Sequence, residues 1–115
     1  MAGENLVSWQ GHRFHVLTMG AKWSAHSGIY IFAGFNSENL WVPLYIGQAS
    51  QFCERLASHE RWEEAVQLGA THVHAMVAPL QENRDLIESQ LIQCYQPPLN
   101  VQLKAAIERL VRRRP

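Results

Sequence analysis

Apolar positions concentrate first in two neighbouring runs, Gly28 to Phe35 and Leu40 to Gly47, separated by Asn36-Ser37-Glu38-Asn39. The runs are rich in Ile, Tyr, Phe, Trp and Val, which suit a pleated surface. Asn and Ser bond their own backbone in turns, so the pattern predicts a β-hairpin. Folded symmetrically about residues 36–39, the hairpin sets Phe35 opposite Leu40, Ile31 opposite Leu44 and Tyr30 opposite Tyr45. The two tyrosines then project from one face. Pro43 removes a ladder donor and marks an edge-facing position or a bulge, which would shift this register by one. Upstream, Arg13-Phe14-His15-Val16-Leu17 alternates as a strand, with Gly11, Gly20 and Ser27-Gly28 as punctuation.

Downstream the period changes. Ser50 is placed to cap a helix that begins near Gln51, carries Phe52, Arg55, Leu56 and His59, and continues or breaks into Trp62–Leu68 before Gly69. Arg55 and His59 are four apart, so on such a helix they share a face. Thr71–Val77 alternates as a strand that Pro79 ends. Residues 81–95 predict a second helix, stopped by Pro97-Pro98, with Ile87, Leu91, Ile92 and Tyr95 as its apolar stripe. Leu103, Ile107, Leu110 and Val111 predict an amphipathic C-terminal helix.

A length of 115 residues suits one domain with one core, and the charged fraction of 17% argues against disorder. No apolar run approaches the roughly 18 residues of a membrane span, and the N-terminus lacks a basic-then-apolar signal pattern, so a cytoplasmic protein is expected. Cys53 and Cys94 form no framework and are expected as buried free thiols. The net charge of zero conceals an asymmetry. Residues 1–100 hold five basic against nine acidic residues, net −4, whereas 101–115 hold five basic against one acidic, net +4. A basic end of this kind either touches a polyanion or is a solvated helix terminus with Arg favourably placed near its dipole.

Glu88 falls inside the apolar stripe of the second long helix. A carboxylate there needs a partner, a metal or a raised pKa, and Arg84 one turn earlier or Arg61 across the fold would serve as the partner. His72 and His74 have strand spacing on one face, as a zinc pair would. With no further His or Cys at finger-like spacing, they read as ordinary strand residues. Trp9, Trp23, Trp41 and Trp62 are expected to anchor the core, and any exposed ring among them is able to stack on unpaired bases.

Five ordered elements then resemble the GIY-YIG nuclease superfamily. Gly28-Ile29-Tyr30 and Tyr45-Ile46-Gly47 match the two halves of its signature. Arg55, followed by His59, is similar to the family's helix with its Arg and, in some members, a His four later. Glu88 in Ile87-Glu88-Ser89-Gln90-Leu91-Ile92 looks like the metal-binding Glu, and Pro97-Pro98-Leu99-Asn100 looks like the closing Pro-x-Asn element. The resemblance covers residues 28–100.

The resemblance implies an α+β fold, a small and mostly antiparallel β-sheet flanked by helices, in a single domain over 1–115. Its motif-bearing core is 28–100, with 1–27 as an N-terminal extension and 101–115 as a basic C-terminal helix. It also implies metal-dependent hydrolysis of DNA phosphodiester bonds. Tyr30 or Tyr45 would act as general base, Arg55 would clamp the phosphate with its planar fork, and His59 would bond the phosphate or orient the nucleophile. Asn100 would support the pocket, and Glu88 would hold one divalent cation, Mg²⁺ or Mn²⁺. A nearby metal or Arg would favour the phenolate. Gln48 stands where the family often has Lys. It is placed with Arg112, Arg113 and Arg114 among the nucleic-acid contacts. The fourteen residues between the two tripeptides are more than is usual in the family, and a longer hairpin loop would account for them. The expected partner is DNA, branched or single-stranded, with a homodimer or protein partner supplying specificity and no membrane involved. The rival readings are a catalytically inactive nucleic-acid-binding domain of the same fold and a protein-interaction module.

Overall fold

The structure, a computed structural model, describes residues 5–103. Strands β1 (Leu6–Trp9), β2 (His12–Leu17), β3 (Gly28–Phe35), β4 (Trp41–Ala49) and β5 (Ala70–Val77) form one sheet in the order β1-β2-β5-β3-β4. Every neighbouring pair is antiparallel. Helices α1 (Phe52–Arg55), α2 (Trp62–Gln67) and α3 (Gln81–Tyr95) flank it, and residues 98–103 are helical as well. This is the α+β architecture the motifs imply. No helix among the described residues is long and apolar enough to cross a membrane.

Both faces of the sheet are covered, which is why β3 reads as a continuous apolar run with only its last residue exposed. On one face Tyr30, Phe32, Leu44 and Val73 pack with Phe52 and Leu56, Ala65 of α2, and Leu99. On the other, Trp9, Phe14, Ile29, Ile31 and Ile46 pack with Leu91 of α3. Trp9 is buried, and Trp23, Trp41 and Trp62 pack against the two clusters partly covered. Cys53 and Cys94 are free, but Cys53 is only half-buried and Cys94 is exposed, contrary to the expectation of buried thiols.

The central hairpin forms with a different register. Phe35 lies opposite Trp41 and Ile31 opposite Ile46. Tyr30 faces Gly47, and Tyr45 faces Phe32. Two slips, each of one residue, produce this. The turn closes one position later than the symmetric fold assumed, with the Asn36 side chain accepting from the backbone N–H groups of Glu38 and Leu40. A bulge then falls between the Ala33–Pro43 and Phe32–Tyr45 pairs, leaving Leu44 as the extra residue beside Pro43 on an edge strand. Side chains alternate with period two, so a total slip of two returns Tyr45 to the face of Tyr30. The tyrosines are diagonal neighbours, with ring centroids 6.3 Å apart. Gly47 makes room for this: a Cβ there would stand 2.5 Å from the Tyr30 hydroxyl.

The helix after β4 is shorter than expected. Ser50 does not cap α1. Its first two N–H groups donate instead to backbone carbonyls of the preceding loop, Phe52 to His26 and Cys53 to Ser24. The helix ends at Arg55, so Arg55 and His59 are not on one helical face. At the N-terminus, β1 joins β2 through Gln10 and Gly11, both at positive φ, as a two-residue hairpin turn requires. Residues 6–17 thus belong to the sheet itself. Lys104 onward, including Ile107, Leu110, Val111 and Arg112 to Arg114, lies outside the described residues.

Candidate active site

Tyr30 is fully buried on β3, and its hydroxyl meets His59 Nε2 at 2.6 Å. The other nitrogen of His59 decides which group donates. Nδ1 accepts from the Arg61 backbone N–H at 3.0 Å and is therefore unprotonated, so the single proton of the neutral ring sits on Nε2 and is donated to Tyr30 Oη. Burial, helped by the nearby Arg55 charge, lowers the His59 pKa to about 4, in keeping with the neutral ring. The Tyr30 hydroxyl accepts this bond and keeps its own proton available for another acceptor.

Arg55, on the last turn of α1, lies beside the same tyrosines, and its charge favours their ionised forms. Burial nevertheless dominates and raises both pKa values, that of Tyr30 being raised further by Tyr45. Arg55 thus favours the phenolate, as expected, but burial outweighs it, and both tyrosines are protonated phenols at neutral pH. The guanidinium of Arg55 is engaged by Glu60 through two parallel bonds, Nη1 to Oε2 at 2.9 Å and Nη2 to Oε1 at 3.0 Å. That bond raises the Arg55 pKa and holds Glu60 down to about 2.

Glu88 is half-buried on α3. Neither suggested arginine neutralises it. Arg84 donates to the carbonyls of Ala78 and Pro79 and to the side chains of Gln81 and Gln48, and Arg61 pairs with Glu64. Glu88 Oε1 instead accepts from Gln48 Nε2 at 2.9 Å. Burial raises its pKa, the Gln48 bond opposes the rise, and Asp85 one turn earlier adds to it. Gln48 sits at the centre of this network. Its carbonyl accepts from Gln81 and Arg84, which turns its NH₂ group toward Glu88 and Asp85. The amide placed among the nucleic-acid contacts is thus occupied within the protein. A cavity of about 380 Å³ opens beside Glu88 and Asn100, and one of about 350 Å³ lies between Gln48 and Arg55. Asn100 clasps β4, accepting from Ile46 N–H at 2.8 Å and donating to Ile46 C=O at 2.9 Å.

The structure thus brings Tyr30, Tyr45, Arg55, His59 and Glu88 into one electrostatically coupled group, with Gln48 and Asn100 as its supports. Arg112, Arg113 and Arg114 lie outside the described residues. Sequence reasoning missed Glu60 and Asp85. Asp85 was accessible, since it precedes Glu88 by three on one helix face. Glu60 was not, because its position relative to Arg55 depends on where α1 ends. His72 and His74 lie among Trp9, Trp41 and Phe35, and His74 Nδ1 accepts from Trp9 Nε1. No cluster of three metal-ligating side chains occurs among the described residues.

His59 and His74 give the fold a measurable pH dependence. Burial lowers both pKa values from the ordinary 6.5 to about 4. Between those values the unfolded chain binds protons that the folded chain does not. Stability is therefore complete above pH 6.5 and declines as the pH falls toward 4, by roughly 3 kcal/mol for each ring. Urea midpoints from pH 7.5 to 4 are expected to fall accordingly. The His59→Gln variant should show a slope shallower by about one proton.

Among known proteins, the chain is 33% identical over 81 residues to UvrABC system protein C of Thermotoga maritima, which covers 67% of this chain and 14% of that protein. Among solved structures it is similar to the GIY-YIG N-terminal endonuclease domain of UvrC from Thermotoga maritima bound to its catalytic magnesium. That match has 26% identity and a TM-score of 0.54, and covers 66% of this chain and 84% of that one. A tyrosine-to-phenylalanine point mutant of the same domain matches at 28% identity and a TM-score of 0.52, over 66% and 83% of the two chains. No family model matches the chain.

Proposed function

As a member of the GIY-YIG superfamily, the chain carries, we propose, a divalent-metal-dependent endonuclease activity that hydrolyses DNA phosphodiester bonds. The observation that carries this reading is the convergence of two phenols, a guanidinium and a carboxylate without a cationic partner among the described residues on one corner of the sheet. The whole protein matched by sequence is about seven times longer than the matched segment, so its further substrates and partners do not transfer with the fold.

The residues fit one hard cation. Glu88 is a half-buried carboxylate whose only bond among the described residues is to an amide, and it borders an open cavity. Mg²⁺ characteristically keeps several waters and needs few protein carboxylates, with Asp85 one turn away as an additional negative charge. When bound, the cation supplies charge neutralisation at the phosphate.

The remaining steps fall to the chain's own side chains. Arg55 holds the non-bridging phosphate oxygens with its planar fork, taking them in place of the Glu60 carboxylate. Of the two phenols, Tyr30 is the better equipped to move a proton. If it ionises, its oxygen already receives His59 Nε2–H and faces Arg55, whereas what favours ionised Tyr45 is the charge of Arg55 and of Arg61. Once its own phenol proton has passed to solvent, Tyr30 accordingly takes the proton of the attacking water, His59 acts as a neutral donor that fixes its oxygen, and Tyr45 shapes the pocket wall. Asn100 holds β4, and thereby Tyr45 and Gln48, in register. The absence of a membrane-crossing helix among the described residues and the two free thiols accord with a cytoplasmic setting. A second copy or a protein partner is the expected source of further specificity.

Incubation with plasmid, branched and single-stranded DNA should yield Mg²⁺- or Mn²⁺-dependent cleavage that EDTA stops. If no substrate is cut with either cation, the nuclease reading fails and an inactive DNA-binding domain takes its place.

A further inference from the structure

The sheet face that carries Tyr30 continues past it. In the strand register His15, Ala75, Tyr30 and Gly47 form one row across β2, β5, β3 and β4. The β2 end of the row is therefore two strand spacings, roughly 10 Å, from Tyr30. Helix α1 lies over this face, with Phe52 buried at its first residue and Arg55 one turn on at the tyrosines. On the far side of Phe52 is a second groove of about 170 Å³. Leu17, Trp23, Phe52 and Val77 wall it, and Lys22 and Ser24 stand exposed at its mouth.

Its size and make-up are selective. It is smaller than the pockets that take drug-sized ligands, and its apolar walls suit one planar ring system. Trp23 is held in place: its Nε1–H donates to Met19 C=O at 3.2 Å, and its ring leans on Phe52 with centroids 6.0 Å apart. The loop that carries it is tied to α1 by the Phe52–His26 and Cys53–Ser24 backbone bonds. Groove and candidate active site therefore share one rigid element.

Charge distinguishes this side of the molecule. Five basic residues precede residue 101: Arg13, Lys22, Arg55, Arg61 and Arg84. Arg84 is buried and bound to carbonyls, and Arg61 pairs with Glu64. The other three follow one another along this face: Arg55 at the tyrosines, where Glu60 holds its guanidinium, Lys22 at the groove mouth and Arg13 on β2. Alternation puts Arg13 on the side of His15 and Leu17. In a chain whose first hundred residues sum to −4, this basic line beside an exposed aromatic slot is complementary to a single nucleic-acid strand.

We propose that the groove seats one unpaired nucleobase of the DNA strand being cut, with the adjoining phosphates on Lys22 and Arg13. The seated base lies about one or two nucleotides from the phosphate held by Arg55, as the roughly 10 Å offset dictates. The proposal rests on the nuclease reading and gives it a substrate class: strands with an unpaired nucleotide beside the cut are preferred to continuous duplex.

The test uses the full chain in EDTA and a fluorescent single-stranded oligonucleotide. Each base is replaced in turn by an abasic analogue, and binding is read by anisotropy. At one position the lost base should weaken binding about tenfold, and in Trp23→Ala that penalty should vanish. The exposed variant Lys22→Gln keeps the test independent of how well Trp23→Ala folds, and should lower the slope of log affinity against log salt by about one. A flat abasic scan, a penalty that persists without Trp23, or an unchanged salt slope overturns the proposal. Binding with the expected pattern but no cleavage in Mg²⁺ supports the groove and defeats the nuclease reading. Cleavage with a flat scan does the reverse.

Discussion

Replacing Glu88 by glutamine should lower metal-dependent cleavage by about 10²–10³-fold while leaving the fold intact. The metal's contribution is several kcal/mol of charge neutralisation in the transition state, and each 1.36 kcal/mol is a factor of ten. Glutamine keeps the shape and still accepts the Gln48 N–H that reaches Glu88 Oε1 in the wild type. A second readout separates metal binding from chemistry. Burial raises the Glu88 pKa because the charged carboxylate is poorly solvated without a cation, so the neutral amide should leave the protein in EDTA at least as stable as wild type. Mg²⁺ should raise the wild-type melting temperature by mass action and leave Glu88→Gln unmoved. A variant that still cuts, or still gains stability from Mg²⁺, would place the cation elsewhere.

The second large effect concerns Arg55. Arg55→Ala should reduce single-turnover cleavage by about 10²–10³-fold, the usual loss for a preorganised group facing developing negative charge. Arg55→Lys should restore little, since an ammonium cannot reproduce the two-pronged geometry seen here with Glu60. The Glu60 contact makes a contrasting variant informative. Glu60 is 68% exposed, and an exposed ion pair is worth up to about 1 kcal/mol. Glu60→Gln should therefore tighten DNA binding by up to about fivefold, because phosphate no longer competes with a carboxylate for the same guanidinium. Glu60 is held down to about 2, so salt rather than ordinary changes of pH would loosen the pair. Equal binding by wild type and Glu60→Gln would mean that Arg55 does not receive the phosphate.

Much of this was legible in the chain because strong local signals agreed with the tertiary fold. The runs flanking Asn36–Asn39 became β3 and β4, and the periodic stretch 81–95 became α3 with its predicted bounds. The tyrosines were expected on one face and lie on one face, though through a different register. Of the two slips that set that register, the bulge falls at Leu44 beside Pro43, where the missing ladder donor announced it, whereas the later closure of the turn was not announced. His59 was assigned a helical partnership with Arg55 because spacing of four is suggestive. Nothing local shows that α1 ends after one turn, with His59 carried beneath Tyr30. The polar network around Gln48 was equally invisible, since it joins residues 33 to 40 positions apart. The strand Leu6–Trp9 is too short to announce itself, and it exists as the partner of β2.

The clasp of Asn100 on Ile46 bears on how copies of this chain meet. β4 is an outer strand, and its middle would otherwise present an unpaired N–H and C=O to any passing extended segment. The Asn100 amide occupies both groups, much as a neighbouring peptide unit would. Edge-to-edge association through the middle of β4, the ordinary beginning of sheet extension and fibrous aggregation, is thereby blocked by one side chain. Substituting Asn100 would do more than loosen a pocket: it would expose a templating edge beside the tyrosines. Colloidal behaviour and the candidate chemistry of this domain thus depend on the same residue.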